Sequence, residues 1–343
     1  MLKTDSPFGV IDAQLGRFEA SWLEALTSDL RLIREVSHHL QRMRGKRFRP
    51  ALTFLSAGPD LDGPIADRVL TSALVVEMIH TATLIHDDII DHSLLRRGMG
   101  TINARWDRKT AVLMGDYLFA RAFSTLVHAT MPDVVTIMAD VTYELSQGEL
   151  IQEQVVFQPD LVESDYFQLI ELKTSALIGA ACEIGGVVAG IGGAEQKRLR
   201  GFGRKLGLVY QIVDDILDFV GDEALMGKPV HTDLAQGKVT LPLILAFERA
   251  TDAERRRTED LFEEGLSRRE PADGQPRSEL DGRPTIPWHE VEEIVNRHEG
   301  VNLARGRVAA LADEVRIDLN ELATEGLIER LEPILDYVLS RDR

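Results

Sequence analysis

The predicted fold class is an all-α bundle, and three observations predict it. Apolar residues recur at three- and four-residue spacings over most of the chain, strand-like alternation is almost absent, and residues 66–91 are apolar nearly all round. A helix without a wet face belongs at the centre of a bundle. At 343 residues the chain exceeds an average domain, yet a helical bundle of this size can be one unit, so a single domain over 1–343 is expected. With 44% hydrophobic and 28% charged residues, the composition is that of a soluble globular protein and excludes disorder and fibrous repeats.

In chain order, Leu23, Leu26, Leu30, Ile33, Val36 and Leu40 form an amphipathic pattern that predicts a surface helix over 15–43. Residues 66–91 (Val69, Leu74, Val76, Ile79, Ile85, Ile89) predict the central helix. Further helices are expected over 109–128, 133–154, 165–185, 196–219, 241–250 and 304–339. Gly58 to Pro64 and Gly221 to Gly237 are Gly-, Pro- and Asp-rich breaks. Residues 270–287, with Pro271, Pro276, Pro284 and Pro287 among charges, predict a flexible solvated loop. The weakly polar run 175–194 is interrupted by Glu183 and six glycines, which favours close helix packing over a membrane span.

The formal charge of −17 repels nucleic-acid phosphates and anionic membrane surfaces, so neither is an expected partner. An anionic substrate must be met by local cations. One cysteine, Cys182, permits no intramolecular disulfide and no cysteine-rich zinc site, which fits a reducing cytoplasm. Residues 1–13 carry Lys3, Asp5 and Asp12 and lack the apolar stretch of a signal peptide.

Chemistry concentrates in one aspartate motif used twice. The first copy is His86-Asp87-Asp88-Ile89-Ile90-Asp91, followed by Arg96-Arg97-Gly98; the second is Gln211-Ile212-Val213-Asp214-Asp215-Ile216-Leu217-Asp218. On a helix, i and i+4 share a face, so Asp87 projects with Asp91 and Asp214 with Asp218. Magnesium prefers one or two carboxylates plus phosphate oxygens and water, so such pairs suit a diphosphate site better than a calcium cage. Solvated acids at a helix end would be the bland reading of either copy alone. Both copies, however, lie in apolar helical runs, where a charge needs a metal, a basic partner or a water-filled cavity.

Cations stand around these acids. Gly45-Lys46-Arg47-Phe48-Arg49-Pro50 places three bases at a helix entrance, where backbone N–H groups also attract an anion. Arg96 and Arg97 follow the first acid motif, Lys173-Thr174 lies on a helix, and Lys228 and Lys238 lie in the loop after the second. Any one basic pair is more often a solvated surface. Their clustering around acid motifs in a chain of this charge favours an anion site.

GKRFRP, HTATLIHDDIIDHSLLRRG, KT, QIVDDILD and GKPVHTDLAQGKVTLPL, in this order over about 43–246, resemble the trans-prenyltransferase family that makes polyprenyl diphosphates, most closely its octaprenyl-type members. The resemblance implies an all-helical bundle around a deep cavity, a homodimer, and three magnesium ions on the aspartates. Asp87, Asp91 and Asp214 would carry the ions, with Asp88, Asp215 and Asp218 supporting them. It implies that Lys46, Arg49, His80 and Arg97 bind isopentenyl diphosphate, and that Arg96, Lys173, Thr174, Gln211, Lys228 and Lys238 face the allylic diphosphate. Asp87, Asp91, Asp214 and Lys173 would be the catalytic set. In the family the departing diphosphate takes the final proton, which leaves His86 and His92 as packing histidines.

A class I terpene cyclase also uses magnesium-bound aspartates, but has no use for Lys46, Arg49 and Arg97, and its second metal motif usually differs. A non-catalytic subunit of a heteromeric synthase would typically lose its acid motifs; both are intact here. A phosphohydrolase using His86-Asp87 lacks further evident ligands. Residues one turn before Asp87 lie about 6 to 7.5 Å deeper. There the chain has Ala82 and Thr83, then Ile79 and Met78, where short-chain family members carry a bulky aromatic floor. A long product, about C30 to C50 at about 1.5 Å of helix per residue, is expected; a geranylgeranyl or farnesyl product is the shorter alternative.

Overall fold

The computed structural model describes residues 7–220, 232–269, 286–324 and 326–342. Lys228 and residues 270–285 of the expected loop lie outside the described residues. The longest apolar stretch forms the central helix α4, Gly63–Ile90, which begins with Pro64 in its first turn, where a missing N–H costs nothing. It is buried on all sides between Val69 and Ile89, packed against α3 (Phe48–Ala57), α6 (Arg108–His128) and α9 (Ala176–Val188). By length and composition α4 could cross a membrane, but it is mostly buried inside the bundle.

The glycine-rich run reads as close packing. A Cβ on Gly203 of α10 (Gly193–Val220) would come within 2.8 Å of the Gly179 Cα, and one on Gly185 within 2.4 Å of the Thr53 carbonyl oxygen of α3. Only glycine lets these backbones approach so closely. Buried apolar side chains from Phe8 to Val338 form one contiguous cluster.

Three expected helices are corrected. The amphipathic run 15–43 is two helices, α1 (Asp12–Leu26) and α2 (Arg31–Arg42). Thr27 turns extended, the Ser28 hydroxyl accepts from the Leu30 amide at 3.1 Å, and Ser37 donates to the Leu26 carbonyl. As expected of a surface helix, α1 buries one face, Phe18, Trp22 and Leu26, and exposes Asp12, Gly16 and Arg17 on the other. The run 304–339 divides into α15 (Gly300–Asn320) and α16 (Leu327–Leu339), with Gly326 at φ +75° before the second. The run 165–185 is α8 (Glu163–Ile170), a π-turn (Glu171–Ser175) and α9. The expected helices 133–154 and 241–250 are α7 (Pro132–Val155) and α12 (Leu241–Arg249), and a short α11, Thr232–Ala235, lies between α10 and α12. Two further helices, α13 (Asp252–Arg269) and α14 (His289–Arg297), follow. Among the described residues one hairpin interrupts the helices: β1 (Leu95–Arg96) pairs antiparallel with β2 (Met99–Gly100), before the short α5, Ile102–Arg105.

Candidate active site

The first acid motif closes α4. Its last turn brings Asp87 and Asp91 to one face and turns Asp88 away, where both its oxygens accept from the Arg96 guanidinium at 2.8 and 3.1 Å. Asp91 accepts from Lys238 Nζ at 2.8 Å. Asp87 is less well supplied: Lys173 Nζ lies 4.0 Å from its Oδ2 and sits closer to Glu149, at 2.5 Å. The Asp87 Oδ1 is buried with no hydrogen-bond partner. Burial, opposed by Lys173 and reinforced by Glu149 and Asp91, pushes the Asp87 carboxyl up to about 7. Burial works against the Lys173 ammonium, but Asp87 and Glu149 outweigh it and raise its pKa.

The second motif lies on α10 and its three aspartates have different surroundings. Asp214 pairs with Arg341 at 2.6 Å. Asp215 is buried, accepts from the Tyr166 hydroxyl at 2.6 Å and from Gln211 Nε2 at 2.8 Å, and is pushed well above the carboxylate range by burial and by Asp233. Asp218 accepts from the Thr232 hydroxyl at 2.8 Å and the Asp233 amide at 3.1 Å, tying the returning chain to α10.

The basic residues sort into two cavities. One, of about 250 Å³, is lined by Asp87, Asp91, Arg96, Lys173, Gln211 and Lys238, with Thr174 and Asp215 also in its wall. Thr174 donates to the Gln211 amide oxygen at 2.8 Å, and the π-turn carries both Lys173 and Thr174. The other, of about 760 Å³, is lined by Lys46, Arg49, His80, Arg97, Asp214 and Arg341. The described members of the two sets expected from the sequence line these two cavities respectively, while His80, Arg96 and Arg97 also share a smaller third one of about 40 Å³.

The hairpin gives the two arginines different partners. Arg97 (φ +52°) and Gly98 (φ +72°) form its two-residue turn, the left-handed pair that suits strand twist. Arg96 then reaches Asp88, whereas Arg97 donates to the Met43 carbonyl at 2.6 Å. His80 Nε2 lies 3.2 Å from Arg49 Nη1. Burial, then Arg49 and Arg97, lower the His80 pKa well below the imidazole range, so the neutral ring accepts from Arg49.

Ala82 and Ile79 are fully buried in α4, and Thr83 donates to the His80 carbonyl at 2.8 Å. His86 docks on α6, where a Cβ at Gly115 would meet its Nε2 at 2.1 Å. Glu149, Tyr166 and Arg341 were not singled out in the sequence. Glu149 and Tyr166 sit on helices and Arg341 at the chain end, with no local signal, and only the fold brings them to the aspartates. Among the described residues no three His, Cys, Asp or Glu side chains already converge on an ion position; Lys238, Lys173 and Arg341 face the acids instead.

A family model described as Polyprenyl synthetase matches residues 30–273. The chain belongs to the polyprenyl synthetase family. This synthetase is 32% identical over 343 residues to the octaprenyl diphosphate synthase of Haemophilus influenzae, covering 100% of this chain and 98% of that one. A decaprenyl diphosphate synthase structure from Rhodobacter capsulatus matches with TM-score 0.83 and 32% identity over 98% of both chains. A polyprenyl synthase from Caulobacter crescentus, solved with calcium and isoprenyl diphosphate, matches with TM-score 0.84 and 30% identity over 100% of this chain and 99% of that one. The synthetase is therefore an all-α prenyltransferase of isoprenoid diphosphates. Relatives named as geranylgeranyl, octaprenyl and nonaprenyl synthases leave its product length open.

Proposed function

We propose that this synthetase joins isopentenyl diphosphate head-to-tail to an allylic diphosphate primer, with magnesium, to give a long all-trans chain. The observation that carries the reading is the pair of cation-lined cavities on either side of the α4 and α10 aspartates. A cyclase, with one diphosphate to bind, has no use for the second.

The metal assignment fits the side chains. Asp87 has a buried oxygen without a partner, and Asp91 and Asp214 each face a cationic side chain that a metal ion could replace. Asp87, Asp91 and Asp214 would hold the three ions implied by the resemblance, while Asp88, Asp215 and Asp218 act through protein contacts. Bound divalent ions supply charge neutralisation for a leaving diphosphate. Lys173, Lys238 and Arg96 orient the primer's diphosphate and stabilise the charge that grows on it as the allylic C–O bond breaks. Lys46, Arg49 and Arg97 hold the acceptor's diphosphate. Among residues lining the two cavities His80 is the one imidazole, and its Nε2 faces Arg49. That arrangement supports proton loss to the departing diphosphate rather than to a side chain.

Ala82 and Thr83, one turn below Asp87, put no bulky ring there, which supports a product of about C30 to C50 at about 1.5 Å of helix per residue; Ala82 is fully buried and neither residue lines the two cavities. Purified protein given isopentenyl diphosphate, magnesium and each allylic primer tests the reading, with chromatography of the dephosphorylated products. Chain elongation is expected, with Asp87→Ala and Asp214→Ala losing about a hundredfold or more in turnover, as for loss of one preorganised electrostatic group. Cyclic hydrocarbon products, or variants within tenfold of wild type, would sink it.

A further inference from the structure

The acceptor cavity has a wall that ordinary anion binding does not explain. Arg47 lies between Lys46 and Arg49, yet its guanidinium turns inward, away from solvent, and is buried. Its Nε donates to Glu19 of α1 at 2.8 Å and its Nη1 to Glu77 of α4 at 2.7 Å. The guanidinium also lies over the Trp22 and Phe18 rings, 5.0 and 5.4 Å from their centroids. One side chain thus joins α1, α3 and α4.

The backbone at Arg47 is left-handed, φ +52° and ψ +38°, immediately before α3 begins. That conformation is disfavoured for any residue with a Cβ, and glycine is the usual occupant. Here the turn has an arginine whose side chain is fixed at both ends, so the contacts hold the strained conformation. The turn in turn sets where its neighbours point, because Lys46 precedes Arg47 and Arg49 lies in the first turn of α3. The same loop carries the Met43 carbonyl that receives Arg97.

Glu77 supplies a second reason. Its carboxylate lines the cavity that also holds Lys46, Arg49 and Arg97. An unpaired carboxylate there would repel a diphosphate; paired with Arg47 it does not. A buried ion pair adds little stability over a well-packed apolar pair, so folding alone does not account for the arrangement.

We propose that Arg47, clamped by Glu19 and Glu77 in the wall of that cavity, is a positioning residue that sets the Lys46–Arg49 turn and cancels the Glu77 charge, and so determines affinity for the acceptor's diphosphate through that turn and that charge. The proposal rests on the acceptor reading of that cavity. Titration calorimetry with inorganic diphosphate in metal-free buffer tests it apart from catalysis, since Lys173 and Lys238 then face Glu149 and Asp91. Arg47→Lys, which keeps the charge but loses the planar fork, should weaken diphosphate about tenfold and raise the KM for isopentenyl diphosphate equally, with the primer KM and kcat within twofold. Arg47→Met with Glu77→Gln removes the buried pair, with Glu19 still paired to Arg44 at 3.1 Å, and should show the same selective loss at an unfolding temperature near wild type. Unchanged affinity in either variant, or equal weakening of both substrates, would overturn the clamp. Arg47-dependent diphosphate binding in a protein that does not elongate would instead overturn the acceptor reading.

Discussion

A carboxylate placed where it holds its proton too tightly leaves a mark on stability. The Asp87 carboxyl is pushed by burial to about 7, against about 3.9 for an unfolded chain. Between those values the folded form keeps a proton that the unfolded form has lost. The Asp87 contribution is therefore fully present below about pH 4 and is lost as pH rises through about 7, by about 4 kcal/mol at most. Urea unfolding of metal-free protein at pH 5 and pH 8 reads this: Asp87→Asn, which cannot titrate, should gain on wild type as pH rises. A constant difference between the two proteins would place Asp87 in a better-solvated site than the structure gives it. A second residue prediction concerns Gly45, where a Cβ would meet the Arg97 guanidinium at 2.7 Å. Gly45→Ala should displace that flexible end, with little change in unfolding temperature. Losing a charge-assisted contact of about 1.5 to 3 kcal/mol would raise the KM for isopentenyl diphosphate about ten- to a hundredfold; an unchanged KM would show that Arg97 acts elsewhere.

At the scale of elements, what the sequence revealed depended on whether the deciding contact was local. Helix α4 announces itself because no face of it is polar, and the glycines of α9 mark the backbones they allow to touch. The helix break at Thr27 to Leu30 escaped notice because the apolar period continues across it in Leu26, Leu30 and Ile33. Helix α13 escaped for the opposite reason: it is dominated by charge and buries few side chains, Leu261 and Phe262 among them. The aspartates and bases carry strong spacing signals, and the structure sorts them into two cavities. Glu149 and Arg341 reach those acids only through folding of α7 and of the chain end. The face of α4 below Asp87 carries the element-scale prediction. Ala82→Phe puts a ring one turn beneath the reacting groups, and should shorten the product to about C15 to C20, at about 1.5 Å of helix per residue, while the first condensation proceeds at the wild-type rate. Unchanged product length would show that another helix sets the floor.

For the molecule as a whole, the described surface retains an apolar seam that the fold leaves uncovered. On α6, Leu113, Ala120 and Val127 recur every seven residues and are exposed; on the neighbouring α7, Tyr143 and Leu150 do the same. Seven-residue spacing keeps side chains on one face of a helix, the arrangement of a helix–helix seam. A second copy of the chain is the occupant we propose, forming a homodimer. Since each copy carries −17, charge opposes association, and burial of these residues must supply the attraction. Added salt screens the repulsion, so the dimer should tighten as ionic strength rises, the reverse of an assembly held by salt bridges. Light scattering should give about twice the 38.2 kDa of one chain. Leu113→Arg with Tyr143→Arg, far from the aspartates in sequence and exposed, should return a monomer. Because α7 also carries Glu149 and Gln152 at the primer cavity, that monomer should lose turnover along with mass; a fully active monomer, or a wild type that never exceeds one chain's mass, would show that the seam does not join two copies.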